Sequence, residues 1–101
     1  MSVQFYIEDA TPWEGGVLVN GYVEGVIPVG FTFKRARRYL EMQEGKCIKL
    51  QPPLAEKPVG LVVMKAIAYD QELPALTGMS GSLLLQGEGM SEIGWGEVLS
   101  D

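Results

Sequence analysis

Apolar residues in this chain come in short runs that repeat with period two and are broken every few residues by glycine or proline. Period two places alternate side chains on opposite faces of a strand, so the pattern describes half-buried β-strands. Val3, Phe5 and Ile7 alternate with Gln4, Tyr6 and Glu8. Thr11 to Gly16 reads as a loop, because Pro12 fixes φ and removes a donor while Gly15 and Gly16 permit positive φ. From Val17 to Glu24, Val17, Val19 and Val23 share one face, and Leu18, Asn20 and Tyr22 the other. Gly21 leaves a gap on the valine face, which suits a bulge or a tight barrel bend. Val26 to Phe33 is expected to return as a short edge-like piece, broken by Pro28 and Gly30.

Val59 to Tyr69 is a strong β run, and Asp70 to Pro74 reads as a turn. Ser82 to Gln86 reads as a short strand buried on both sides, and Glu97 to Leu99 as the closing one. Residues 34–50 fit two patterns. Phe33, Ala36, Tyr39 and Leu40 would line a helix stripe; Phe31, Phe33, Arg35, Arg37 and Tyr39 would line one side of a strand. Gly45-Lys46 looks like a turn, Cys47 to Leu50 like a short strand, and the three prolines between Gln51 and Pro58 mark a loop.

Short strands with Gly/Pro turns predict an all-β domain, a small closed or nearly closed antiparallel barrel. Closure hides sheet edges, a hazard for a chain this rich in Val and Leu. The expected strands are residues 3–8, 17–24, 59–69 and 82–86, with Val19, Val23, Val62, Leu83 and Leu85 facing inward. At 101 residues the chain is expected to form one domain spanning 1–101, with 34–58 as a divergent basic region.

Charge is unevenly distributed. Residues 1–33 carry Glu8, Asp9, Glu14 and Glu24 and no base, a net of −4. All eight Lys and Arg lie between Lys34 and Lys65, offset by Glu41, Glu44 and Glu56, for +5. Residues 66–101 carry −6, and the total of −5 argues against a general nucleic-acid binder. Half of the positive charge is Lys34, Arg35, Arg37 and Arg38, a candidate site for phosphate or an acidic protein face. Tyr39 and Phe33 beside it would suit stacking of a base. Its bland reading is a solvated face. Trp13 and Trp95, each next to glycines, fit either an interface or a plug at a barrel end.

Much chemistry is missing. There is no His, which removes the commonest general base and metal ligand, and Cys47 has no histidine partner. No Gly-rich loop ends in Lys-Ser/Thr, so no GTP binding or hydrolysis is expected. GTP with magnesium should leave the melting temperature unchanged; a rise of several degrees would overturn this reading. Glu8 and Asp9 are expected on opposite strand faces, which prevents them from acting as a carboxylate pair. Catalysis, cofactors and metals are not expected. The single cysteine, the absence of a secretory leader and of an apolar span suggest a cytoplasmic setting without membrane contact.

Two stretches go further. Phe5-Tyr-Ile-Glu-Asp-Ala followed by Gly15-Gly-Val-Leu-Val-Asn-Gly-Tyr-Val-Glu-Gly-Val-Ile-Pro-Val-Gly30 is one. Gly78-Met-Ser-Gly-Ser-Leu-Leu-Leu-Gln-Gly87 followed by Ile93-Gly-Trp-Gly-Glu-Val-Leu99 is the other. Their order and spacing resemble the β-barrel module that follows the GTPase domain in elongation factor Tu and related translation factors. The resemblance implies a barrel that, in those factors, helps to hold the aminoacylated end of tRNA. It implies a pocket near the end of the first strand and the start of the second hairpin. Glu8 and Asp9 match the family's Glu-Asp pair, Asn20 stands where Thr is common, and Leu84 and Leu85 match an apolar pair. Tyr22 and Gln86 stand where the factors have Arg, Val63 where they have an acid, and Ser80 where they have Asn. A phosphate site needs cations, and two are absent. The expected role is a non-catalytic binding module for an RNA-containing or protein partner. The alternative is a protein-only interaction domain on the same scaffold: an immunity or adaptor protein, or a homodimer.

Overall fold

A computed structural model describes residues 3–38, 42–43, 46–47 and 55–101. Eleven strands occur among them, and no helix. They are β1 (Gln4–Trp13), β2 (Gly16–Glu24), β3 (Val26–Pro28), β4 (Thr32–Arg38), β5 (Met42–Gln43), β6 (Lys46–Cys47), β7 (Ala55–Ala68), β8 (Gln71–Leu73), β9 (Ala75–Thr77), β10 (Ser80–Glu88) and β11 (Glu97–Ser100). The order β10-β2-β1-β11-β4-β7 closes through the β10–β7 pairing, giving a six-stranded antiparallel barrel, and β8 is added beyond β7. β3 and β9 form a separate ribbon, as do β5 and β6.

The interior is the apolar phase of these strands. Phe5, Ile7, Val19, Val23, Phe33, Leu61, Val63, Leu83, Leu85 and Leu99 are buried in one cluster. Ile27 and Leu76, opposite each other in the β3–β9 ribbon, are also fully buried and plug one end. Those two aliphatic residues take the place that one of the two readings gave to a loop tryptophan, and Trp13 and Trp95 are exposed.

Strand length explains the bulges. A straight strand of 14 residues would span about 46 Å, yet β7 fits a molecule whose longest extent is 34 Å. It bends where its register shifts, between Phe33 and Arg35 on β4 and between Leu84 and Leu85 on β10. The second shift leaves Met64 unpaired. A third bulge leaves Glu8 without a partner, opposite Gly21 and Asn20. A Cβ on Gly21 would overlap the Tyr6 carbonyl oxygen, so the bend requires glycine there.

Several expectations change. β1 runs through the expected loop to Trp13, because Glu14 (φ 45) and Gly15 (φ 78) alone make the hairpin turn. In a two-residue hairpin the flanking pair Trp13–Gly16 is hydrogen-bonded, so Pro12 faces away from β2, where its missing N–H blunts an open edge. Val26 to Phe33 is two strands, since the chain leaves the ribbon at Val29 and enters β4 at Thr32. Residues 34–38 are strand, and the expected 51–58 loop is already β7 from Ala55 onward. The turn before β8 is Tyr69-Asp70, so Gln71–Leu73 is strand. Val62 is half-exposed, while Leu61 and Val63 face inward. The unbroken apolar run conceals its own phase. Tyr39, Leu40, Glu41, Glu44, Gly45, Ile48 to Leu50 and Gln51 to Leu54 lie outside the described residues.

Candidate functional site: an acidic groove on the barrel wall

The sequence pattern on β1, β2 and β10 puts polar residues on the outer face in one row. Asp9 pairs with Asn20, and Asn20 with Ser82 on the next strand. The Asn20 amide donates to Asp9 Oδ2 at 3.3 Å, and the Ser82 hydroxyl donates to Asn20 Oδ1. The row is thus tied across three strands, and Asn20 is committed on both its amide atoms.

Beside this row lies an open groove of about 390 Å³, lined by Glu8, Asn20, Gly21, Ile67, Ala68, Tyr69, Asp70, Ser80, Gly81 and Ser82. The bulge puts Glu8 there. It also overturns the expectation that Glu8 and Asp9 face oppositely: both are exposed, Asp9 engaged by Asn20 and Glu8 turned to the groove. Tyr69 and Asp70 come from the β7–β8 turn, both at positive φ (54 and 59). Tyr69 is 83% exposed. Neither Glu8 nor Asp70 forms an ion pair or side-chain hydrogen bond among the described residues, and no Lys or Arg lines the groove. The nearest cation along β7, Lys65, is shared by Glu14 (3.9 Å) and Glu72 (3.6 Å). The groove therefore offers acceptors, hydroxyls and one aromatic face.

The remaining candidates are dispersed. Tyr22 stacks on Tyr6 at 6.3 Å and 9°, and the Tyr6 hydroxyl donates its one proton to Glu24 and lies 2.9 Å from Gln4 Oε1. Leu84 is buried on the outer face and Leu85 in the core. Lys34 and Arg35 are exposed on β4 and form no ion pair among the described residues. Arg37 Nε donates to Glu56 Oε1 at 2.5 Å. That hydrogen bond holds the Glu56 carboxyl below its ordinary value, aided by the charges of Arg37 and Arg35 and opposed by desolvation.

Arg38 and Lys57 belong to a second cluster. Glu97 is only 3% exposed, and its carboxylate meets Lys57 at 3.3 Å, Arg38 at 3.8 Å and the Gly94 N–H at 2.9 Å. Lys57 also donates to the Glu92 carbonyl at 2.5 Å. These bonds fix the loop before β11, from which Trp95 projects 66% exposed. Trp13 is 52% exposed at the β1–β2 hairpin. Among the described residues, Arg37 pairs with Glu56 and Arg38 with Glu97. Sequence reasoning missed Tyr69, Asp70 and Ser82. An Asp in a turn tolerates left-handed φ, and that was the available clue.

Two crystal structures of translation elongation factor SelB from Methanococcus maripaludis resemble the chain: the apo form and the complex with the GTP analogue GppNHp. Each matches with a TM-score of 0.67 at 16% sequence identity over 100% of this chain. The chain spans 19% of the length of each SelB chain. No protein-family model matches the chain, and no curated protein does. Six strands closing in the same way as part of a translation factor, over the entire chain, give the fold: this is a translation-factor-like closed β-barrel.

Proposed function

We propose that the chain is a non-catalytic binding module that engages a protein partner through the groove between Glu8 and Asp70. One observation carries the reading. At the position where the family resemblance implies a pocket, the groove has two carboxylates without partners among the described residues, and no cation. Phosphate brings a charge that this lining repels, whereas an ammonium or guanidinium is attracted to it. Tyr69 adds an aromatic face of the kind cations approach. RNA is the rival partner, and it would dock on Lys34, Arg35, Arg37 and Arg38. Two of those four are already paired, with Glu56 and Glu97.

The test is affinity capture with and without ribonuclease, followed by two double charge reversals. The expected partner survives ribonuclease. Glu8→Lys with Asp70→Lys should weaken it by at least about tenfold, equivalent to 1.4 kcal/mol. Lys34→Glu with Arg35→Glu should leave it bound. Loss of the partner on ribonuclease treatment, or the reverse pattern in the variants, would transfer the site to β4 and the partner to RNA. Single-stranded RNA titrated at rising salt separates these outcomes independently, because phosphate contacts weaken steeply with salt.

A further inference from the structure

Neighbours on a regular strand face opposite ways, which keeps adjacent like charges apart. On β4 a bulge removes that separation. The register of β4 on β7 shifts between Phe33 and Arg35, and Lys34 and Arg35 are both exposed between buried Phe33 and buried Ala36. Side by side the two cations repel, and neither forms an ion pair among the described residues. The acids on the adjoining strands are committed elsewhere. Glu56 is held by Arg37, and Glu97 by Lys57 and Arg38. Glu24 accepts the Tyr6 hydroxyl, and Asp101 Oδ1 accepts the Val3 N–H at 3.4 Å. A third donor lies in the same row. Gln4, Ser100 and Arg35 are paired side by side across β1, β11 and β4. Their strand neighbours Phe5, Leu99 and Ala36 belong to the core, so the row faces outward. Ser100 is nevertheless only 5% exposed, and its Oγ is the one buried side-chain polar atom among the described residues without a hydrogen-bond partner. Such a group is costly to keep, and it marks a place where an acceptor is missing.

We infer that Lys34, Arg35 and the Ser100 hydroxyl form a binding site for a phosphate monoester. Ammonium, guanidinium and hydroxyl all donate, and what the three lack in common is an acceptor. A phosphate monoester brings three acceptor oxygens and about two negative charges at neutral pH, which match the two cations. The Arg35 side chain is exposed and unpaired among the described residues, so its guanidinium is free to swing onto the anion. The anion then supplies the acceptor that the hydroxyl beside Arg35 lacks. A carboxylate, with a single charge, would leave one cation uncompensated. A nucleic-acid backbone has its charges in series and needs cations in series. The next two along β4, Arg37 and Arg38, are offset by Glu56 and Glu97. The site lies on β4 and β11, strands that do not line the groove, so this inference does not depend on the proposed partner.

Titration of the whole chain with inorganic phosphate at constant ionic strength, followed by amide resonances, tests it. Saturable shifts at Lys34, Arg35 and Ser100 should appear, half complete below about 10 mM, and chloride should not reproduce them. Lys34→Gln with Arg35→Gln should weaken binding at least about tenfold and keep the fold, because exposed charges contribute little to stability. Ser100→Ala should weaken it about threefold or more, yet melt no lower than the native chain, since it removes an unsatisfied hydroxyl. A hydroxyl with a structural role alone would leave phosphate affinity unchanged. A phosphoserine peptide and a nucleoside 5′-monophosphate, each compared with its unphosphorylated form, then separate a protein from a nucleotide as the source of the group. Single-stranded RNA without a terminal phosphate should bind more weakly than either. Absence of saturable binding, binding by the folded double variant or by Ser100→Ala equal to that of the native chain, or tighter binding of the RNA overturns the inference.

Discussion

Gly21→Ala should destabilise the protein by about 3 kcal/mol and lower its melting temperature by more than 10 °C. Two effects compete at this position. Alanine is ordinarily the better strand residue, by roughly 0.5–1 kcal/mol, because glycine loses more backbone entropy on folding. Here the new methyl would meet the Tyr6 carbonyl oxygen, and the Phe5 ring at 3.1 Å. A flexible side chain would turn aside, but a backbone carbonyl in the β1–β2 ladder moves only if the ladder moves. The clash therefore outweighs the entropy. Gly94→Ala is the control: nothing lies within 4 Å of its added methyl, and its φ is not positive. It should be neutral or stabilising by roughly 0.4–1 kcal/mol. Equal melting temperatures for Gly21→Ala and the native chain would mean that the bulge at Glu8 does not need glycine opposite it. Because Gly21 also lines the groove beside Glu8, the same substitution should weaken binding there.

The strands were legible wherever apolar and polar residues alternate. Val17 to Glu24 shows this best: each odd position was expected inward, and each is buried. Reading failed where alternation stops. Leu61-Val-Val-Met contains no polar residue to mark the outer face, so Val62 was placed inward when its two neighbours hold those places. Bulges were the second failure. Each changes the facing of every later residue on its strand, which is how Glu8 and Asp9 both become exposed. Gly21 gave warning of one bulge, whereas nothing near Met64 distinguishes another.

The site was half legible. Glu8, Asp9 and Asn20 were singled out because family-like motifs run through them, and Glu8 and Asn20 line the groove. Tyr69 and Asp70 close its other side from the β7–β8 turn, some 60 residues from Glu8 in the chain. That proximity is a product of barrel closure through β10–β7, and local pattern does not contain it. The basic cluster shows the opposite error. Four cations in five residues read as one patch, yet Arg37 and Arg38 are drawn to Glu56 and Glu97. Those acids come from strands whose pairing with β4 the sequence did not reveal.

Leu85→Ala should cost about 2–5 kcal/mol, the range for removing a buried leucine from a core that only partly collapses. Leu84→Ala should cost clearly less. Both side chains are buried, so exposure alone does not separate them. Their surroundings do. Leu85 belongs to the interior cluster, enclosed by the barrel wall, and a void there is filled only by moving strands that are hydrogen-bonded on both sides. Leu84 lies on the outer face of the same strand, opposite half-buried Leu18 and the long stem of Lys65. Lys65 can settle into the vacated space while its ammonium stays in water, and solvent can enter the remainder. Since a domain of this size has only about 5–15 kcal/mol in hand, Leu85→Ala uses a large share of it. Urea unfolding of the two variants, read at equal m-values, gives the comparison. Equal losses would mean that the outer face of β10 is enclosed as tightly as the inner one, and that Leu84 sits under a second core.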